Sequence, residues 1–453
     1  MMNFKSVNPA TNQVVGTYQE ETETVLLKKL DLAQEVFTSW RKSDLAHRCE
    51  LLKKAGQILR DNVEEYAQMI TAEMGKPIAE SRGEVNKCAW VCDYYAENAA
   101  DFLQDEIIVT DAYKSYVAHQ PMGCVFAIMP WNFPFWQVFR FAAPTLTAGN
   151  TGMLKHAPNV FGCALLIEDV FTKAGYPKGV FQNIIVHHNQ TETIIGHSAI
   201  KAVTLTGSEG AGIAVAEIAG RNLKKSLLEL GGNNAFIVLK DANLDQAVRT
   251  AVVARMLNCG QSCIAAKRFI LVDEIYDDFV ARFTDAVREM KMGDPLAQDT
   301  KLGPMARIDL ATQLQAQVTR SIEIGAQLLL GGKQDECFHE ATILGNVQPG
   351  MPAFDEETFG PLAAMIRVQS AEEAFKLAEQ SRFGLGCTVC TTDLDYAMSM
   401  ASEISDGAFF VNELVKSDPR LPFGGTKKSG YGRELSKDGM MEFVNRQAVY
   451  VKK

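Results

Sequence analysis

Basic residues are outnumbered in this chain of 453 residues, with 45 Lys plus Arg against 55 Asp plus Glu and a formal net charge of −10. A general nucleic-acid binder needs a basic face for phosphates, so that class is excluded, and an anionic membrane surface is excluded for the same reason. Histidine is scarce, seven in all, and none lies near the thiol-bearing segment described below, which leaves a Cys–His hydrolase with little support. No basic stretch followed by an apolar run and a cleavage site opens the chain, so no secretory signal is read. The ten cysteines are scattered without disulfide or ligand spacing, which predicts reduced thiols and a cytoplasmic protein. Low-complexity tracts, long charge runs and internal repeats are absent. Tyr116 to Phe139 carries no Asp, Glu, Lys or Arg, but Pro121, Pro130, Asn132, Pro134 and Gln137 interrupt it. A strand over 123–129, a sharp loop and a helix account for that segment better than a membrane span. No membrane and no nucleic acid are expected as partners.

What is present is a hydrophobic content of 47% over a length that predicts two or three domains. Apolar residues at helical spacing predict helices over 22–40, 45–74 and 80–102. Cys88 and Cys92 share a face of the third and read as core, with no further ligand nearby to make a metal site. After Gln120 short apolar runs, at 123–129, 152–154, 180–186, 202–206, 234–239 and 268–272, alternate with helical segments such as 161–174, 212–219 and 244–257. That alternation predicts an α/β fold with a mostly parallel sheet covered on both faces. A second α/β set over 275–410 predicts a second sheet and a cleft between two domains, and the closing run 448–451 reads as an edge strand available for pairing with another subunit.

Three segments carry chemistry. Asn258-Cys259-Gly260-Gln261-Ser262-Cys263 places a thiol after a Gly-bearing loop, and Glu229 stands 34 residues earlier, beside Gly231 and Gly232. Pro130-Trp131-Asn132-Phe133-Pro134 holds an amide in a rigid apolar loop. A thiol nucleophile, a carboxylate and an amide donor are the parts needed for acyl chemistry through a thioester. Cys387 and Cys390 form a CxxC, but on a strand-like run whose alternate residues face opposite ways, so no metal is expected there.

Together with Asn8-Pro9-Ala10-Thr11, Thr206-Gly207-Ser208, Glu357-Thr358-Phe359-Gly360-Pro361, Pro422-Phe423-Gly424-Gly425 and Ser429-Gly430-Tyr431-Gly432-Arg433-Glu434, these motifs resemble the aldehyde dehydrogenase superfamily over nearly the whole chain. The resemblance implies an aldehyde-dehydrogenase-like α/β fold. A Rossmann-type cofactor domain would span 1–108 and 121–231, a catalytic domain 232–432, and a β-ribbon for oligomerisation 109–120 and 433–453. It implies Cys263 as nucleophile, Asn132 and the Cys263 backbone N–H as oxyanion donors, and Glu229 as the base that activates water for hydrolysis. NAD or NADP would meet Trp131, Lys155, the turn bearing Gly207, Ser208 and Gly212, Leu230, Glu357 and Phe359. A homodimer or homotetramer follows by analogy.

One departure bears on the cofactor. Relatives selective for NAD carry an acidic residue three positions after the lysine, where this chain has Pro158 in the run Lys155-His156-Ala157-Pro158. No carboxylate stands there to repel a 2′-phosphate, and His156 is a candidate to approach one, so both cofactors are open. For the substrate, Arg140 is the only charged residue among the forty from Ser115 to Leu154. A charge in such a segment requires an anionic partner, either a distant Asp or Glu or the carboxylate of a substrate. Its place eight residues after Asn132 resembles the short bacterial succinate semialdehyde dehydrogenases. On that likeness the substrate is a small carboxylated aldehyde, held by Arg140 with Phe133, Ser417 and Arg420 as further pocket residues; Lys416 is another candidate. Glutarate semialdehyde, another small aldehyde, a non-catalytic relative and a cofactor-free thioesterase remain as alternatives.

Overall fold

The computed structural model describes residues 3–453. An N-terminal hairpin, β1 (Asn3–Val7) and β2 (Val14–Gln19), leads into four helices: α1 (Glu23–Trp40), α2 (Leu45–Asp61), α3 (Val63–Met74) and α4 (Ile78–Leu103). In α1, Thr22 caps the first turn by accepting from the Val25 amide, and Leu26, Leu30, Ala33, Phe37 and Trp40 form the buried stripe. Each large side chain so buried contributes about 1.5–3 kcal/mol of transfer free energy. The single helix expected over 45–74 is two, because Asn62 leaves the helical region (φ −118°, ψ 25°) and turns its side-chain amide onto the Ile58 carbonyl. The apolar pattern runs through that break, so periodicity alone does not reveal it.

The chain then forms β3 (Glu106–Ile107), β4 (Lys114–Pro121), β5 (Cys124–Met129), α5 (Trp136–Thr147), β6 (Thr151–His156), α6 (Phe161–Ala174), β7 (Phe181–Asn183), α7 (Thr191–Gly196), β8 (Ile200–Thr206), α8 (Glu209–Arg221) and β9 (Lys225–Glu229). Strands β9, β8, β5, β6 and β7 lie side by side in that order, all parallel, with Gly430–Tyr431 added antiparallel beside β9. Far-downstream residues thus return to the first sheet, within the 232–432 stretch expected to belong elsewhere. The run expected as a strand over 180–186 pairs only over Phe181–Asn183, at the sheet edge where β6 is its one neighbour.

The second sheet starts with β10 (Asn234–Val238), continues through α9 (Leu244–Met256) and β11 (Ala266–Val272), and is completed by Gln327–Leu330, Thr342–Gly345, Leu362–Val368, Cys387–Cys390 and Phe409–Val411. Its strands are parallel except Gln327–Leu330. Cys387 and Cys390 are buried and free, as are Cys88 and Cys92, and no cluster suited to a metal occurs among the described residues. A third sheet joins Val444–Val451 to β4 and β4 to β3, so the closing strand is paired on one side only. No helix is long and apolar enough to cross a membrane among the described residues.

Helix α5 carries the first sheet's link to the site. All twelve of its residues are buried, and its opening amides, Phe135 and Trp136, donate to the Glu84 carboxylate of α4 at 2.8 and 3.0 Å. Glu84 is in turn paired with buried Lys76. A carboxylate at a helix N-terminus satisfies amides that have no partner within the helix and favours the dipole. This fixes the loop that precedes α5.

Candidate active site

Parallel strands deliver their loops to one end of a sheet. Beyond the end of β5 the Pro130–Pro134 loop holds Asn132 buried, its Nδ2 donating to the Gln261 carbonyl at 3.1 Å. At the end of β9 stands Glu229, and the glycines behind it permit the next contact. A Cβ on Gly232 would lie 2.6 Å from the Cys263 carbonyl oxygen, so that position admits glycine alone without displacing the thiol-bearing segment.

Cys263 follows a strained turn after α9, with Asn258, Cys259 and Gly260 all at positive φ (56°, 52° and 70°). Sequence reasoning did not foresee what holds that turn. Buried Arg255 donates to the carbonyls of Ala266, Gly260 and Gly360 at 3.0, 2.8 and 2.5 Å. The Asn258 amide donates to Glu80 at 2.7 Å, and the Asn258 side chain to the Asn132 carbonyl at 2.7 Å. Lys267 Nζ donates to the Ser262 and Cys263 carbonyls at 3.0 and 2.8 Å. The one legible signal was the cationic side chains themselves, since a charge inside an apolar stretch must find carbonyls or an anion. The Cys263 backbone N–H has no acceptor among the described residues, and Asn132 uses one of its two amide protons.

Two cavities meet at this thiol. The first, about 240 Å³, is lined by Phe133, Arg140, Ser417, Lys87 and Phe423 as well as Cys263. The second, about 500 Å³, is lined by Trp131, Asn132, Gly207, Ser208, Leu230, Glu357 and Phe359 as well as Cys263. Among the described residues Cys263 alone lines both. Trp131 and Phe359 meet edge to face at 5.8 Å across the second, and Glu357 accepts from the Gly232 amide at 2.9 Å. Ser208 caps α8 by accepting from the Ala211 amide, while the Glu209 and Gly210 amides donate to nothing among the described residues. A Cβ on Gly210 would meet nothing within 4 Å, whereas one on Gly212 would strike Leu230 at 2.7 Å. Gly212 therefore serves close packing below the cavity that Gly210 faces.

Glu229 lines neither cavity and is fully buried behind Cys263. Burial, and then the Glu434 carboxylate, push the Glu229 carboxyl well up, with Arg140 opposing. Burial pushes the Cys263 thiol up to about 11, opposed first by Arg140 and then by Lys267.

The anionic partner that Arg140 requires is inside the chain. Its Nε lies 2.5 Å from Glu434 Oε2, its Nη2 donates to Thr206 Oγ1 at 3.3 Å, and its guanidinium sits 4.7 Å over the Phe423 ring. Arg140 lines the first cavity with only 2% of its surface exposed. Arg420 lies outside both cavities: it folds onto Asp418 at 2.7 Å with 68% of its side chain exposed, so its charge is satisfied away from the thiol. His156 is buried, with its ring nitrogens engaged by the Pro134 carbonyl and the Ala157 amide, and burial pushes it down to about 4. A neutral, enclosed imidazole does not approach a phosphate, which corrects that expectation. Lys155 is buried on β6 and pushed down to about 8 by burial.

Residues 2–449 match the aldehyde dehydrogenase family. A Synechocystis sp. protein named "Probable succinate-semialdehyde dehydrogenase", with NADP(+) as its stated cofactor, is 47% identical over 99% of this chain and 100% of its own length. An Escherichia coli succinate semialdehyde dehydrogenase named for NAD(P)+ is 46% identical over 98% of this chain and 97% of its own. The crystal structure of the succinic semialdehyde dehydrogenase from Streptococcus pyogenes with NADP+ superposes with a TM-score of 0.97 at 37% identity, covering 99% of this chain and 100% of that one.

Proposed function

The chain belongs to the aldehyde dehydrogenase family, and from that membership we propose that it oxidises succinate semialdehyde to succinate with NADP or NAD as hydride acceptor. The observation that carries this reading is the position of Cys263, the one described residue common to a small cavity whose wall bears Lys87, Arg140 and Lys416 and a larger one at a helix N-terminus. At about 240 Å³ the first has room for a four-carbon aldehyde. The second fits a dinucleotide, since the free Glu209 and Gly210 amides suit an anion and the Gly210 face leaves room for its approach.

In this mechanism the Cys263 thiolate attacks the aldehyde carbon, the C=O π pair moves to oxygen, and a thiohemiacetal forms. The Cys263 backbone N–H and the second amide proton of Asn132 are free to hold that oxygen as its charge develops. Arg140 and Lys267 favour the thiolate against a burial that opposes it. When bound, the nicotinamide accepts the hydride that leaves the reacting carbon. Glu229 then takes a proton from the water that opens the thioester, and sulphur departs with its bonding pair. A carboxyl whose proton affinity is raised by burial takes that proton more readily than an exposed one. Arg140 and Ser417, on the wall of the first cavity, would face the far carboxylate of the substrate, with Phe133 beside its chain.

The three-stranded ribbon, with one edge of Val444–Val451 unpaired and Tyr450 and Val451 exposed, supports assembly into a homodimer or homotetramer. The test of function is steady-state reduction of NADP and NAD with succinate semialdehyde beside butanal, a neutral aldehyde of equal length. A kcat/KM for the semialdehyde at least about tenfold above that for butanal is expected from one charge-assisted contact. Equal values, or a preference for butanal, would return the chain to a general aldehyde dehydrogenase.

A further inference from the structure

Lys87 is the cation of the first cavity that the reading above leaves without a task. It projects from α4, its Nζ 2.8 Å from Ser417 Oγ and 4.2 Å from the centre of the Trp136 ring. It lines the same cavity as Arg140 and Cys263. Among the described residues no carboxylate lies within ion-pair distance of it. The acids around it are committed elsewhere: Glu84 to Lys76 and the α5 amides, Glu80 to the Asn258 amide, and Asp418 to Arg420. Of the other cations on the wall, Arg140 is paired with Glu434 and Lys416 with Glu413.

An ammonium has three donors, and a hydroxyl together with an aromatic face leaves hydrogen-bonding capacity unused. From this geometry we propose that Lys87, with Ser417 beside it, is the group that takes the terminal carboxylate of the substrate and sets the preference for anionic aldehydes. The inference rests on the reading of the substrate as an ω-carboxy aldehyde and locates its anionic end. Arg140, on the same wall but more deeply buried and with its charge shared with Glu434, acts on that carboxylate and on the thiol through its field rather than by the direct contact. Burial, and then the like charge of Arg140, push Lys87 down to about 8. A bound carboxylate would reverse that shift, so binding takes up a proton at alkaline pH.

Three measurements test the assignment on the full chain. The first is the ratio of kcat/KM for succinate semialdehyde to that for butanal, in the wild type, Lys87→Met and Lys87→Arg. The methionine keeps a stem over Trp136 and removes the charge, so the ratio is expected to fall on the order of 10- to 100-fold, with arginine restoring part of it. The second is the Kd of succinate, the probe used, by calorimetry between pH 6.5 and 9.5. It is expected to weaken as pH rises through about 8 in the wild type, whereas Lys87→Met is expected to lose that step and keep only the fall near 7 that ionisation of Glu80 on the same wall produces. That comparison separates Lys87 from Lys267, which also titrates near 8 but is bonded to backbone carbonyls outside the cavity wall. The third is proton uptake on binding succinate at pH 8, expected in the wild type alone.

A wild type that prefers the semialdehyde while Lys87→Met keeps the full ratio would overturn the assignment and leave the substrate reading standing. A wild type without that preference would overturn both. If Lys87→Met does not fold, the wild-type pH dependence of succinate binding decides, and a profile without the step near 8 overturns the assignment.

Discussion

The Arg140 guanidinium and the Glu434 carboxylate form a 2.5 Å ion pair wholly inside the protein, within reach of the Glu229 carboxyl and the Cys263 thiol. The pair links α5 to the segment after Gly432, and through it the two halves of the chain. Breaking a buried pair by removing one partner leaves an uncompensated charge. Arg140→Ala is therefore expected to lower stability by about 3–5 kcal/mol, read from urea unfolding, and Arg140→Met with Glu434→Leu to recover much of it. A loss of kcat/KM common to both aldehydes in Arg140→Ala reflects the freed Glu434 beside Glu229. Only the additional loss seen with the semialdehyde measures carboxylate binding.

Glu434→Gln tests the electrostatic side of the same relationship. The Glu434 charge raises the proton affinity of Glu229, so removing it lets Glu229 ionise at lower pH. The acid limb of the kcat–pH profile is expected to move to lower pH in the variant. A limb that stays in place would mean that Glu229 does not set it.

For Cys263, burial raises the thiol to about 11, so the thiolate fraction is small at neutral pH and grows about tenfold per pH unit. Alkylation of the free enzyme by iodoacetamide at Cys263 should accelerate accordingly between pH 7 and 10. Arg140→Lys, which keeps a positive charge, should be closer to the wild type than Arg140→Met, whose rate should be lower at every pH because the favourable charge is gone. A rate independent of pH would show a thiolate already formed at rest.

Gly232 and Gly231 offer a contrast in steric cost. An added Cβ at Gly232 meets the Cys263 carbonyl at 2.6 Å and the Leu385 side chain at 3.1 Å, and backbone has nowhere to go. At Gly231 the nearest atoms belong to the end of the Glu357 side chain, which can swing away. Gly232→Ala is expected to abolish turnover or folding, whereas Gly231→Ala should fold and chiefly raise the KM for the cofactor. Equal behaviour of the two would contradict this packing.

Much of this was legible in the residues. The helix over 161–174 and the core strands of both sheets lie where apolar runs and turn signals put them, because parallel strands buried on both faces leave a strong mark. The break at Asn62 did not show, since its cause is one side chain turning back onto the Ile58 carbonyl within an unbroken apolar pattern. Within the site, Asn132, Cys263 and Glu357 were marked by motifs. Lys87 and Arg255 were not, because their meaning comes from partners far away in sequence, Ser417 and Gly360. Arg140 showed that a partner was needed without showing which one, as a single charge in an apolar helix carries no address.

The most direct test of the central claim is to trap the acyl-enzyme. Glu229→Gln, mixed with succinate semialdehyde and NADP, should release a burst of reduced nicotinamide and then turn over on the order of 100- to 10,000-fold more slowly than the wild type. Acid quenching and peptide mass spectrometry should then find the peptide containing Cys263 heavier by one succinyl group, with Cys259 unmodified. An unmodified Cys263, or a burst with the label on another residue, would contradict the account.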